Sequence, residues 1–211
     1  MEDRCFDSDL KIMDSRRGKT VRVSCLLLVD YNVLVGLLNK TIHILDVETL
    51  CHVSQLSNLE DEPGDLALSK NEPMIVWSLL LNGTVLGFDP ETRERVAKIT
   101  VPNMLQHTFC TCFTVYRDFL WVGTNRGTIS ILSTEYSEQQ LRNEIAFTES
   151  GKTVEVKYLA VSSEDEIWCS VHAIPRAKNS TFIAVYNPRN NTKIYSYSNF
   201  EGNDSLIYTA C

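Results

Sequence analysis

The side chains best suited to chemistry in this chain are its thiols and imidazoles, and two groups come near metal-ligand spacing. His107, Cys110 and Cys112 form an H-x2-C-x-C cluster, and Cys169 with His172 forms a C-x2-H pair. Zinc takes thiolate and imidazole donors of this kind, but structural sites want paired knuckles on turns, such as C-x2-C with H-x3-H. Neither knuckle is present. Alternation along an extended strand would point Cys110 and Cys112 to one face, with His107 in the loop before it. The expectation is therefore buried thiols, with no metal and no cofactor.

No G-x-G-x-x-G, P-loop, G-x-S-x-G or H-E-x-x-H occurs, and His43, His52, His107 and His172 are scattered without a nucleophile motif. No catalytic residue is expected. The acidic run Glu60-Asp61-Glu62-Pro63-Gly64-Asp65 has two readings, a solvated loop or a docking site for a basic partner through Glu60, Asp61 and Glu62. With 27 acidic against 20 basic residues the net charge is -7, which argues against a dominant nucleic-acid or anionic-membrane surface. The short cluster Arg16-Arg17-Gly18-Lys19 reads as a solvated loop.

The elements that position these residues repeat. Val33-Leu34-Val35-Gly36, Val76-Trp77-Ser78-Leu79, Leu120-Trp121-Val122-Gly123 and Ile167-Trp168-Cys169-Ser170 share one pattern. The three tryptophans occupy its second position, with Leu34 in their place in the first copy. Successive second positions are 43, 44 and 47 residues apart, close to the roughly 40–45 residues of a four-stranded propeller blade. Seven residues past that position, the first three copies start another alternating strand, at Thr41, Thr84 and Thr128. Leu34, Trp77, Trp121 and Trp168 therefore read as one structural position, with Gly36 and Gly123 beside it. Large aromatics at such a position belong to the core.

Leu38-Asn39-Lys40, Asn82-Gly83 and Asn125-Arg126-Gly127 suit tight hairpins between strands b and c. Strand c then stops at Asp46, Asp89 or Asn187-Pro188, where short polar side chains close a turn before an outer strand d. An apolar stretch ahead of each b strand suits an inner strand a flanked by neighbouring blades. Only Glu135 to Ile145 tempts a helix assignment, read as a loop or short helix.

The fold class expected is all-β, an open β-propeller of about four blades. Its boundaries are an N-terminal segment 1–19 suited to an outer strand, then a partial propeller 20–211. The blades fall at 20–56, 64–102, 108–150 and 154–200, and 203–211 suits the first strand of a fifth. Ala177-Lys178-Asn179-Ser180 marks a lengthened b–c connection. Stacked blades leave two apolar end faces, which suggests a fragment that pairs with another copy.

Leu120-Trp121-Val122-Gly123-Thr124-Asn125-Arg126-Gly127-Thr128-Ile129-Ser130-Ile131-Leu132 resembles the degenerate WD40 propellers at the ends of large signalling proteins. Among them it is similar to the C-terminal propeller of the leucine-rich repeat (Roco) kinases, and to propellers of Rho-type exchange factors and DENN-domain proteins. Leu45-Asp46 and Phe88-Asp89 stand where a WD40 blade ends in Trp-Asp, and no Gly-His dipeptide is present. That departure removes the hydrogen-bond network of typical blades and shifts stability towards apolar packing.

The resemblance implies a non-catalytic protein-interaction scaffold in signalling or trafficking. The alternative it implies is the regulatory propeller of a multidomain enzyme, such as a Roco kinase or nucleotide exchange factor. Other proteins are the expected partners, with self-association through open blade faces, no nucleic acid and no membrane span. The acidic N-terminus, the absence of an apolar spanning run, and seven cysteines of which five lie in apolar or strand-like stretches suggest a cytoplasmic chain with reduced thiols.

Overall fold

Period-two alternation punctuated by Asn, Asp and Gly folds the chain into consecutive hairpins. The computed structural model describes residues 13–14, 19–69, 73–135, 141–147, 153–174 and 181–198, and within them every regular element is a strand. A short pairing of β1 (Met13–Asp14) with β2 (Lys19–Thr20) precedes four antiparallel four-stranded sheets. The first sheet holds β3 (Val23–Val29), β4 (Asn32–Leu37), β5 (Thr41–Asp46) and β6 (His52–Leu56). The second holds β7 (Pro63–Ser69), β8 (Ile75–Leu80), β9 (Thr84–Phe88) and β10 (Arg95–Thr100). The third holds β11 (Cys110–Tyr116), β12 (Phe119–Thr124), β13 (Thr128–Ser133) and β14 (Leu141–Ala146). The fourth holds β15 (Thr153–Val161), β16 (Ile167–Ile174), β17 (Thr181–Asn187) and β18 (Thr192–Ser198). Each sheet keeps chain order, so its strands are a, b, c and d of one blade.

Local chemistry sets the turns. The b–c turns need a positive φ, supplied by Gly83 (83°) and Gly127 (71°) in the second and third blades and by Lys40 (65°) in the first. The c–d turns are closed by a side-chain acceptor. Asp46 Oδ1 accepts from the Glu48 and Thr49 amides at 3.1 and 2.8 Å, and Asp89 Oδ1 accepts from the Glu91 and Thr92 amides, both at 2.8 Å. These bonds, led by those from Thr49 and Thr92, favour the carboxylate and hold both acids below the usual range. In the fourth blade Asn187 Oδ1 accepts from the Arg189 amide at 3.0 Å.

The blades stack face to face through three apolar seams. Leu34, Ile42 and Ile44 of the first blade meet Val76, Leu80 and Phe88 of the second. Trp77, Leu79 and Val85 meet Phe113, Leu120 and Val122. Trp121, Ile129 and Ile131 meet Val154, Ile167 and Cys169. Among the described residues the first and fourth sheets do not close on one another, so the array is an open propeller.

One register runs through all four blades. Strand a carries a bulge at Val23/Cys25, Pro63/Asp65, Cys110/Cys112 and Val156/Tyr158, opposite Gly36, Leu79, Gly123 and Ser170 respectively. Each of those four lies two residues past Leu34, Trp77, Trp121 or Trp168, which therefore share one position. Leu34, Trp77 and Trp121 each point into the seam with the following blade and are buried. Trp168 lies on the face opposite Ile167, Cys169 and Val171, which pack into the third seam, and is 36% exposed.

Three expectations change. The inner strands, expected to be near-continuously apolar between neighbouring blades, are only intermittently buried, whereas strands b and c of the interior blades, such as β9 and β12, are buried between strands of their own sheet and blades on both faces. In β3, by contrast, Leu26 and Leu28 are more than 60% exposed. Residues 141–146 form strand d of the third blade, not a loop or helix, because pairing with β13 outweighs the helical preference of polar unbranched residues. Cys51, grouped by its sequence context with core thiols, is exposed beside the c–d turn. The lengthened connection at Ala177–Ser180 and the segment 203–211 lie outside the described residues.

The shared register predicts unequal costs for the same substitution. Trp121→Ala should lose about 3–5 kcal/mol, as for a fully buried aromatic, whereas Trp168→Ala should lose about 1 kcal/mol. Urea unfolding of both variants measures the difference; equal losses would show that the register does not govern burial.

Candidate functional site

The bulges explain several residues at the repeat. A Cβ at Gly36 would overlap Cys25 Sγ, and one at Gly123 would lie 2.8 Å from Cys112 Sγ and 2.7 Å from Val156 Cγ1. Glycine there makes room for the bulged thiol. The same bulge separates the thiols of the H-x2-C-x-C cluster: Cys110 packs into the second seam and Cys112 into the third. Strict alternation would have put them on one face, so the inserted residue corrects that expectation. His107 is exposed with a φ of 65°. Cys169 and His172 also point to opposite faces of β16. Burial pushes the Cys25 thiol up to about 11 and Cys110 and Cys112 up to about 12, so these thiols are protonated and inert at neutral pH.

Side chains of the inner strands stitch the seams together. Cys25 Sγ lies 3.9 Å from the Pro63 carbonyl, and Thr111 Oγ1 donates to the Val156 carbonyl at 2.5 Å. Between the second and third blades Asp65 does this work. Its Oδ2 accepts from the Phe113 amide at 3.3 Å and its Oδ1 from the Leu66 amide at 2.9 Å. Desolvation outweighs those two bonds and raises the carboxyl to about 6.

Tertiary folding also brings Ser170 Oγ to 3.0 Å from His172 Nε2, with Thr181 Oγ1 3.4 Å from Nδ1. Sequence spacing had not suggested this pair. Ser170 is 4% exposed and sits between two paired strands, Tyr158 and Ile183 being its register partners. Ser170 Oγ and the imidazole therefore lie together within a paired sheet face, with Ser170 buried.

The acidic loop Glu60–Glu62 lies at one end of the first seam, and the charges of Glu60 and Asp61 are engaged. Glu60 Oε1 is 2.5 Å from Lys98 Nζ and 3.9 Å from Arg95 Nη1, while Asp61 Oδ1 is 3.3 Å from Lys40 Nζ. The loop thus ties strand d of the second blade to the b–c turn of the first, each exposed pair contributing about 0–1 kcal/mol.

The opposite end of the same seam is a cleft of about 290 Å³. Its walls include Leu34, Ile44, Val76 and Phe88, and its rim carries Asp30, Asp89, Glu91 and Arg93 from the a–b turn of one blade and the c–d turn of the next. The signal for it was in the sequence: Leu34 is the repeat position that lacks an indole.

No protein-family model and no curated protein sequence matches this chain. Solved structures with the same fold are the structure of U3-55K, the WD40 repeats of RRP9 and the WD40 domain of Toxoplasma gondii coronin. The first is 12% identical with a TM-score of 0.64 over 86% of this chain and 53% of that one. The second is 12% identical with a TM-score of 0.63 over 84% and 52%. The third is 12% identical with a TM-score of 0.65 over 88% and 49%. The chain thus spans about half the length of these propellers, and at such identity the likeness establishes the WD40-like fold.

The buried Asp65 carboxyl predicts a pH dependence of stability. Because its folded value is raised from 3.8 to about 6, the folded state holds the proton more tightly, so stability falls as pH rises between about 4 and 6 and levels off above. That rise corresponds to a loss of about 3 kcal/mol. Asp65→Asn should flatten that slope in thermal melts from pH 4 to 7; an unchanged slope would assign it to another group.

Proposed function

We propose that this chain is a non-catalytic protein–protein interaction module of an intracellular, cytoplasmic signalling or trafficking protein, with other proteins or a second copy of itself as partners. The observation that supports it most directly is Trp168. It sits at the register position that buries Trp77 and Trp121 against a following blade, yet it remains 36% exposed beside Tyr158, which is 45% exposed. An apolar strand face shaped to meet another sheet is a surface for association. At the other end of the array Leu26 and Leu28, at 62% and 61% exposed, form a smaller apolar patch beside the buried cluster of Val35, Leu37 and Leu45. The two ends differ, so contact between copies would be head to tail, an arrangement that closes into a ring or extends. Among the described residues no helix is long and apolar enough to cross a membrane. The acidic loop at Glu60–Glu62 takes a lesser part in this reading, since Lys40, Arg95 and Lys98 already meet the carboxylates of Asp61 and Glu60.

Light scattering during size exclusion tests the proposal. The wild-type chain should show concentration-dependent association that Trp168→Glu abolishes while thermal melting changes by only a few degrees, about 1 kcal/mol in a chain of this size. A wild-type monomer at all concentrations, with affinity purification of the protein recovering no partner, would defeat the reading.

A further inference from the structure

Three seams join the four blades, and two of them are plugged by an indole at the repeat position. Trp77 fills the second seam and Trp121 the third, each at most 1% exposed. In the first seam that position is Leu34, and the cleft of about 290 Å³ opens beside it. This volume is at the small end for ligand pockets and suits one large side chain better than a cofactor. Its floor is apolar, formed by Leu34, Ile44, Val76 and Phe88, with Asn32 as a polar neighbour.

Charge distinguishes this end of the seam from the other. At the acidic loop, Lys40, Arg95 and Lys98 balance the carboxylates. Among the described residues at the cleft, Asp30, Asp89 and Glu91 share the rim with one cation, Arg93, and none of the three acids forms an ion pair. Asp89 is held ionised by the amides of its own turn. An apolar hole under a net negative rim complements a large apolar side chain with positive charge next to it.

We propose that the cleft beside Leu34 is a docking pocket for a protein segment that inserts one aromatic or large aliphatic anchor flanked by Lys or Arg. The inference rests on the reading of the chain as an interaction module, but it uses a surface separate from the Trp168 face. Anchors in small desolvated pockets carry most of the energy of such contacts, and flanking charges set orientation and choice of partner. Leu34 is then the residue that keeps the pocket open.

The test titrates the isotope-labelled full chain with acetyl-Lys-Trp-Lys-amide and with acetyl-Glu-Trp-Glu-amide, following methyl resonances. The basic peptide should give saturable shifts at Leu34, Ile44 and Val76, and the acidic peptide should not. Leu34→Trp should remove those shifts; Trp121 opposite Ile131 shows that this register accepts an indole facing isoleucine, as Ile44 would require. Glu91→Lys, an exposed substitution that leaves folding intact should Leu34→Trp fail to fold, should weaken the basic peptide by about threefold at low salt. Equal binding of both peptides, binding unaffected by either substitution, shifts centred on Trp168, or no binding would each overturn the pocket. Association that depends on Trp168 would survive those outcomes if the module reading alone is correct.

Discussion

A four-stranded antiparallel sheet buries one face only by finding another sheet, and this structure depends on how the blades meet that need. Each blade offers its neighbour a row from strands b and c, centred on Leu34, Trp77, Trp121 or Trp168. Burial of that position is a property of the pair of blades. Trp121, against Tyr186 of the fourth blade with ring centroids 6.2 Å apart, is fully buried, whereas Trp168 at the same register is not. The same constraint gives strands b and c of the interior blades their burial on both faces, while in the first blade Val35, Leu37 and Leu45 pack with Val21 in a separate cluster beside the exposed leucines of β3.

Near the inner edge, polar contacts fix how the blades sit on one another. The bulges swing Cys25, Asp65 and Cys112 towards the next blade, where a carbonyl or amide of the neighbouring inner strand receives them. Gly36 and Gly123 admit the two bulged thiols by having no side chain. Where Asp65 takes the place of a thiol, the seam gains a hydrogen bond but holds a carboxyl that burial makes reluctant to ionise. The blade interface is therefore apolar in bulk and directional at its inner edge.

The variation among seams is where function has room to act. A repeat that filled every seam alike would present only turns and edges to partners. Here the first seam is underfilled by one residue type, and its two ends differ in charge balance, with cations at the Glu60–Glu62 end and a net negative rim at the cleft. Differences of this kind convert a stack of similar sheets into a surface with distinguishable places.

Much of this was determined by the sequence alone. Spacing of Leu34, Trp77, Trp121 and Trp168, the Asn and Gly turns, and the Asp46 and Asp89 stops specified the strands and their register, because period and turn chemistry act over a few residues. Facing and exposure could not be read that way. A single inserted residue sent Cys110 and Cys112 into different seams, and pairing with β13 made a strand of Leu141–Ala146. Trp168 carries the same local pattern as Trp121 and ends on an exposed face, and Asp65 titrates near 6 because a neighbouring blade covers it. The tertiary structure decided these points because burial and desolvation depend on what lies across a seam some 40 residues away in the chain, beyond the reach of any local pattern.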